Sequence, residues 1–207
     1  MKTVPLTYTH VFEPGTDPAA PPLLLLHGTG GDEHDLLPLG RQLSPGSAML
    51  SPRGDVNEQG QSRFFRRFAE GVFDLADVAR RTNALADFVA AAAGNYRFAP
   101  DRLIAIGFSN GANISASLLL LRPESLGAAV LLRPMVVLEP TGIPNLTGKR
   151  VLISAGAHDP IVPADHPARV AAMLRSAGAD VRLRTQPAGH GLVSGDFADA
   201  REFLKRS

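Results

Sequence analysis

The sequence predicts an α/β protein with a mainly parallel central sheet and helices on both of its faces. Two observations carry that expectation. Short apolar runs recur along the chain, "LLLLHG", "AMLSPRG", "RLIAIGF", "GAAVLLRP" and "RVLISAG". Four of the five end in glycine or proline, as strands buried on both faces do. Segments of helical periodicity separate several of these runs, and alternating strands and helices build a parallel sheet covered on both sides.

In chain order, "MKTVPLTYTHVFEPG" has no apolar core of the kind an export signal carries, so the expected location is cytoplasmic. The segment "EPGTDPAAPP", Glu13 to Pro22, is dense in proline and glycine and reads as a loop before the first buried strand. The longest helical pattern is "DLADVARRTNALADFVAAAAGNYR", where Leu75, Val78, Ala79, Leu85, Phe88 and Val89 recur at three- and four-residue spacing. A second helix starts just after Ser109. A third, "PADHPARVAAMLRSAG", is stopped by Gly178, the strand-like "DVRLRTQ" follows it, and "FADAREFLKR" reads as a closing helix. At 207 residues and 21.9 kDa, the expectation is a single domain over residues 1–207.

Composition excludes several classes. Hydrophobic residues make up 44% and charged residues 20%, an ordinary globular balance, and a net charge of +1 points to no nucleic acid or strongly anionic partner. No apolar run approaches the roughly 20 residues of a membrane span. The absence of cysteine excludes disulfides, thiolate metal ligands and a thiol nucleophile. The "DEHD" stretch, Asp32 to Asp35, gathers three acids and a histidine, but nothing completes a tetrahedral set, so no metal is expected.

In sheets of this kind ligands bind at the carboxyl ends of the strands. There "GFSNG", Gly107 to Gly111, sets Ser109 between glycines at a strand-to-helix junction, the context of a G-x-S-x-G nucleophile. The alternative is that Ser109 only caps the following helix. Acyl transfer also needs donors for the developing oxyanion. The backbone N–H of Asn110 is one, and its side chain should then be replaceable at modest cost. Thr29, in the loop His27-Gly28-Thr29-Gly30-Gly31, is the second choice of donor, with a plain tight turn as the other reading. Neither phosphate-loop pattern occurs there.

Of the six histidines, only His158, His166 and His190 follow the serine, as the order nucleophile, acid, histidine requires. His190, in "QPAGHGL", lies in a loop after a strand-like run and is the favoured base. Asp159, in "SAGAHDPIVP", is the favoured orienting acid, and Asp165 its rival at a helix start. The segment "QSRFFRRFAEGVFDL" combines arginines with aromatic rings. It either lines a substrate cleft, through Phe64 and Phe65, suiting an ester with an aromatic ring or a carboxylate, or packs as a helical turn with its rings in the core. Met135 and Ile161, just past strand ends, would add apolar surface to the pocket.

With these pieces placed, the chain resembles the α/β-hydrolase superfamily over nearly its whole length. It is most similar to the bacterial carboxylesterase/phospholipase group, related to acyl-protein thioesterases, and to small hydrolases associated with hydroquinone resistance. The stretches that carry the resemblance are "LLLLHGTGGDEHDLLPLG", "RFFRRFAEGVFD", "GFSNGANISASLL", "AGAHDPIVP" and "GHGL". The resemblance implies Ser109, Asp159 and His190 as a triad, with Thr29 and Asn110 as oxyanion donors. It also implies esterase activity on small carboxylic esters or thioesters, no cofactor, and often a homodimer. Two other readings keep the fold: a non-catalytic module that binds a small ligand or partner, and a triad that passes its acyl group to a nucleophile other than water.

Overall fold

A computed structural model describes residues 5–205. The start of the segment read for an export signal, residues 1–4, and the end of the closing helix and of the single-domain reading, residues 206–207, lie outside the described residues.

In chain order the elements are β1 (His10–Glu13), β2 (Leu23–Leu26), α1 (Leu37–Leu43), β3 (Met49–Pro52), β4 (Val56–Glu58), β5 (Gln61–Arg63), β6 (Arg67–Ala69) and β7 (Val72–Phe73). There follow α2 (Leu75–Tyr96), β8 (Ile104–Phe108), α3 (Asn110–Leu121), β9 (Ala128–Leu132), β10 (Arg150–Gly156), α4 (His166–Ser176), β11 (Asp180–Gln186) and α5 (Ser194–Leu204). Seven strands form one sheet in the order β1-β3-β2-β8-β9-β10-β11. All neighbours run parallel except β1, which is antiparallel to β3. The fold is that of an α/β protein with a mainly parallel sheet.

The sheet separates two cores because successive strand side chains point to opposite faces. Leu24 and Leu26 of β2 face one core, with Val78, Leu85 and Phe88 of α2, Leu118 of α3 and Leu174 of α4. Leu23 and Leu25 face the other, with Leu37 and Leu43 of α1 and Phe203 and Leu204 of α5. Helix α2 begins at Asp74, whose side chain accepts from the Asp77 N–H at 3.1 Å, and ends where Arg97 turns left-handed at φ 61°. Leu75, read from periodicity as part of its buried stripe, is 57% exposed, and Ala79 is only half-buried.

Every apolar run read as a strand lies in the sheet. Two features differ from the expectation. The Pro/Gly loop begins one residue later than Glu13, because Glu13 closes the edge strand β1, whose four residues are all half-buried and carry no apolar signature. The segment after β3 forms not a helical turn but two small hairpins, β4–β5 and β6–β7.

Strand order reverses between β2, which leads outward to β3, and β8, which starts the opposite half of the sheet. A crevice opens above the carboxyl ends of strands at such a switch point. The loop after β2 and the turn after β8, the two segments singled out from sequence, meet there.

Candidate active site

Ser109 joins β8 directly to α3 with φ 52° and ψ −112°, a conformation that costs a non-glycine residue on the order of 1–3 kcal/mol. Neighbouring structure holds it there. The Ser109 N–H donates to Leu132 O at the end of β9 at 2.9 Å, and Ser109 O accepts from Asn113 N at 3.0 Å. The flanking glycines permit the turn: a Cβ on Gly111 would run into the Leu26 carbonyl, and one on Gly107 into the backbone of Gly111. Ser109 sits at the N-cap position of α3, but its hydroxyl makes no cap hydrogen bond. The helix-cap alternative therefore fails, because the strained turn aims the side chain away from the first-turn N–H groups.

The hydroxyl instead lies 3.0 Å from His190 Nε2, and His190 Nδ1 lies 2.8 Å from Asp159 Oδ2. A carboxylate only accepts, so Nδ1 carries the proton and Nε2 is free to accept from the serine. The other Asp159 oxygen accepts from the N–H groups of Ile161 at 2.8 Å and Val162 at 3.1 Å. Burial pushes the Asp159 carboxyl up, but the Ile161 N–H, His190 and the Val162 N–H together outweigh it and hold it below its usual range. The Phe108 ring packs against the imidazole with centroids 5.3 Å apart. The rivals lie elsewhere. Asp165 is exposed and faces Arg169, His158 is exposed, and His166 Nδ1 accepts from the Val136 N–H at 3.2 Å.

The loop after β2 is fastened rather than flexible. His27 is buried, donates from Nδ1 to Gly28 O at 2.6 Å and accepts at Nε2 from the Gly54 N–H at 2.9 Å. Burial lowers its pKa against the pull of the Gly28 carbonyl, in keeping with a neutral imidazole. Thr29 and Asn110 both line the cleft beside Ser109. Asn110 is the first residue of α3, so its N–H has no carbonyl one turn earlier to bond, and the helix dipole adds positive potential there. The Asn110 side chain is not the replaceable group expected from sequence. It is buried, its Oδ1 accepts from the Phe64 N–H at 2.8 Å, and its Nδ2 is buried without a partner.

The cleft walls are Arg63, Arg67, Glu70, Gly71, Phe73, Asn113, Met135 and Ile161. Phe64 and Phe65, expected from sequence to line it, are corrected: both are buried in the core under the hairpins. The bond from the Phe64 N–H to Asn110 draws this stretch inward. Phe64 then packs against His27 with centroids 4.7 Å apart, and Phe65 against Phe73 at 5.5 Å. The cleft-facing places pass to Arg63 and Phe73. Arg63 is itself buried, donates through Nη1 to the Thr29 hydroxyl and through Nε to Phe65 O at 3.3 Å, and lies 3.1 Å from Glu58. Glu58 also pairs with Arg67 at 3.1 Å. Burial and then the neighbouring Arg67 push the Arg63 guanidinium down to about 10, against the attraction of Glu58.

Among the described residues no cluster of histidine, aspartate or glutamate side chains could hold a metal ion. In "DEHD", Glu33 pairs with Arg53, and Asp32 Oδ1 accepts from the His34 N–H at 2.8 Å. Among the described residues no helix is long and apolar enough to cross a membrane.

The phospholipase/carboxylesterase family profile matches residues 67–207. The putative hydrolase MhqD of Bacillus subtilis strain 168 is 43% identical over 198 residues, which span 96% of this chain and 98% of MhqD. A Bacillus cereus carboxylesterase, 44% identical, superposes with a TM-score of 0.92 over 95% of this chain and 92% of its own. YahD, solved with malic acid, is 31% identical and superposes at 0.89, over 95% of this chain and 97% of its own.

Proposed function

The chain belongs to the phospholipase/carboxylesterase family of α/β-hydrolases, and from that membership we propose that it hydrolyses small carboxylic esters through an acyl-enzyme on Ser109. One observation carries the mechanism: the unbroken relay from Ser109 Oγ to His190 Nε2 and from His190 Nδ1 to Asp159, with Thr29 and Asn110 lining the cleft beside it.

Ser109 Oγ attacks the carbonyl carbon while His190 Nε2 takes its proton, and Asp159 stabilises the imidazolium by accepting from Nδ1. The carbonyl oxygen becomes an oxyanion held by the N–H groups of Thr29 and Asn110, each donor contributing roughly 3 kcal/mol to catalysis. Collapse breaks the bond to the alcohol oxygen, which leaves with the proton from His190. Water then gives a proton to Nε2 and attacks the acyl carbon, and Ser109 departs with that proton as the acid is released. A thioester fits the same steps with a thiol leaving group.

Within this class the cleft favours an ester that carries a carboxylate. Arg63 and Arg67 share the single carboxylate of Glu58, and the buried Arg63 guanidinium lines the cleft with its charge incompletely balanced. Glu70 stands at the exposed lip, where water screens it. That YahD was solved with malic acid, a dicarboxylate, supports this reading.

Ser109→Ala tests the mechanism. Turnover of p-nitrophenyl acetate and labelling by a fluorophosphonate probe should both vanish, a loss on the order of 10⁶-fold in kcat, while thermal unfolding stays cooperative. Turnover near that of the wild type would overturn the acyl-enzyme reading. An unlabelled but folded wild-type protein would favour a non-catalytic binding module.

A further inference from the structure

Arg133 is the residue immediately after β9, and its side chain is wholly buried, as is that of Asp196. The two form a bidentate pair, Nη1 to Oδ1 at 2.8 Å and Nη2 to Oδ2 at 2.9 Å. The remaining N–H groups of the guanidinium are also committed. Nε donates to Gly189 O at 3.1 Å, Nη2 to Gly191 O at 2.9 Å and Nη1 to Ser154 O at 3.1 Å. Gly189 and Gly191 are the residues on either side of His190.

Asp196 is fixed in turn. Its Oδ1 accepts from the Ser154 hydroxyl at 2.6 Å, and its Oδ2 from the Val193 N–H at 2.8 Å. Burial pushes its carboxyl up, but Arg133, Ser154 and the Val193 N–H outweigh that and keep it ionised. A buried ion pair gives little stability over a well-packed apolar pair, so stability alone is a weak reason for this one. What an apolar pair could not do is hold two carbonyls that bracket a catalytic histidine.

The backbone adds a second constraint. Leu132 O, one residue before Arg133, accepts the N–H of Ser109. Asn113 Oδ1 on α3 accepts the N–H of Met135, two residues after Arg133, at 2.8 Å. Arg133 itself sits at φ 59°, a strained value for a side chain of its size. One short stretch at the end of β9 thus touches the nucleophile's turn through its backbone and the histidine's loop through a side chain.

We propose that Arg133 is a positioning residue for His190: fixed by Asp196, it clamps the Gly189 and Gly191 carbonyls and sets the imidazole between Ser109 and Asp159. The inference rests on the triad reading above. A lysine could neutralise Asp196, but its point charge cannot span both carbonyls as the planar fork does.

The test is Arg133→Lys, assayed on p-nitrophenyl acetate with Ser109→Ala as a parallel control. The expected result is a folded protein with kcat lowered roughly 10²-fold, as for a catalytic group displaced by about 1 Å, and KM changed less than about twofold. The downfield proton resonance expected for His190 Nδ1–H in the wild type should broaden or disappear. A folded variant with wild-type kcat, or with reduced kcat but an unchanged Nδ1–H resonance, would overturn the proposal. If Arg133→Lys does not fold, Ser154→Ala decides. It loosens only one bond to Asp196 and should lower kcat about threefold at constant KM while broadening the same resonance; unchanged kcat and resonance would overturn the proposal. An active Ser109→Ala would instead remove the triad reading itself, so the two failures are separable.

Discussion

Arg133 and Arg63 stand on opposite sides of Ser109, one beyond β9 and one beside the loop after β2, and the protein surrounds them differently. Arg133 has a carboxylate of its own, and every N–H of its guanidinium has an acceptor. Arg63 is almost as deeply buried, yet it shares Glu58 with Arg67 and faces the cleft. Full satisfaction gives one geometry and no affinity for anything else, which suits the holding of a catalytic imidazole. Incomplete satisfaction leaves a site ready to gain from a ligand's negative charge, which suits a substrate wall. Under the proposed mechanism, one half of the site fixes the chemistry and the other selects what undergoes it.

The sharpest way to break that division is on the chemical half. Asp159→Asn preserves shape but lets the side-chain amide meet His190 Nδ1 as a donor, which favours the wrong tautomer. kcat should fall by roughly 10⁴-fold with KM little changed, measured on a neutral ester. A loss below about tenfold would mean that the tautomer is set elsewhere and that this half is not the rigid one.

On the selecting half the expected effect is smaller and different in kind. Arg63→Met keeps the length and the packing on Phe65 while removing the charge. For an ester carrying a carboxylate, kcat/KM should fall by about 10- to 10²-fold, mainly through KM, the equivalent of one charged hydrogen bond. For p-nitrophenyl acetate kcat/KM should stay within severalfold, the residue reflecting the lost grip on the Thr29 hydroxyl. Equal losses on both substrates would make Arg63 a support of the oxyanion loop and not a selector.

The two halves were not equally legible in the sequence. The strands were plain because buried parallel strands read as apolar runs, while the edge strand His10–Glu13, half-buried throughout, carried no such pattern. Ser109, Asp159 and His190 could be found because each follows a strand in a local context of glycine or proline. The cleft wall was misread at Phe64 and Phe65 because facing in short hairpins is decided by tertiary bonds, here from the Phe64 N–H to Asn110. That bond also hid the role of the Asn110 side chain. Arg133 and Asp196 were invisible for a related reason. They meet across 63 residues, and nothing local to "LLRPM" or "SGDFAD" announces the pairing.

The smallest expected effect concerns acid stability, and it too separates the halves. Asp159 and Asp196 are both held below the ordinary carboxylate range, and both belong to the histidine side. Above about pH 5 they are ionised in the folded and the unfolded chain alike, so the stability they contribute is fully present. As pH falls below that value the unfolded chain takes up protons that the folded chain does not, and the contribution is lost progressively until the folded-state values are passed. Urea unfolding from pH 5 to pH 2.5 should therefore show stability falling with acid. Asp196→Asn should make that fall shallower by up to about 1.4 kcal/mol per pH unit, one proton's share, even though the variant starts from a lower stability because Arg133 loses its counter-charge. The slope is the informative quantity, since a general loss of packing would lower the whole curve without flattening it. An unchanged slope would mean that Asp196 binds its proton equally in both states, and that the Arg133 clamp is far looser than its bond lengths imply.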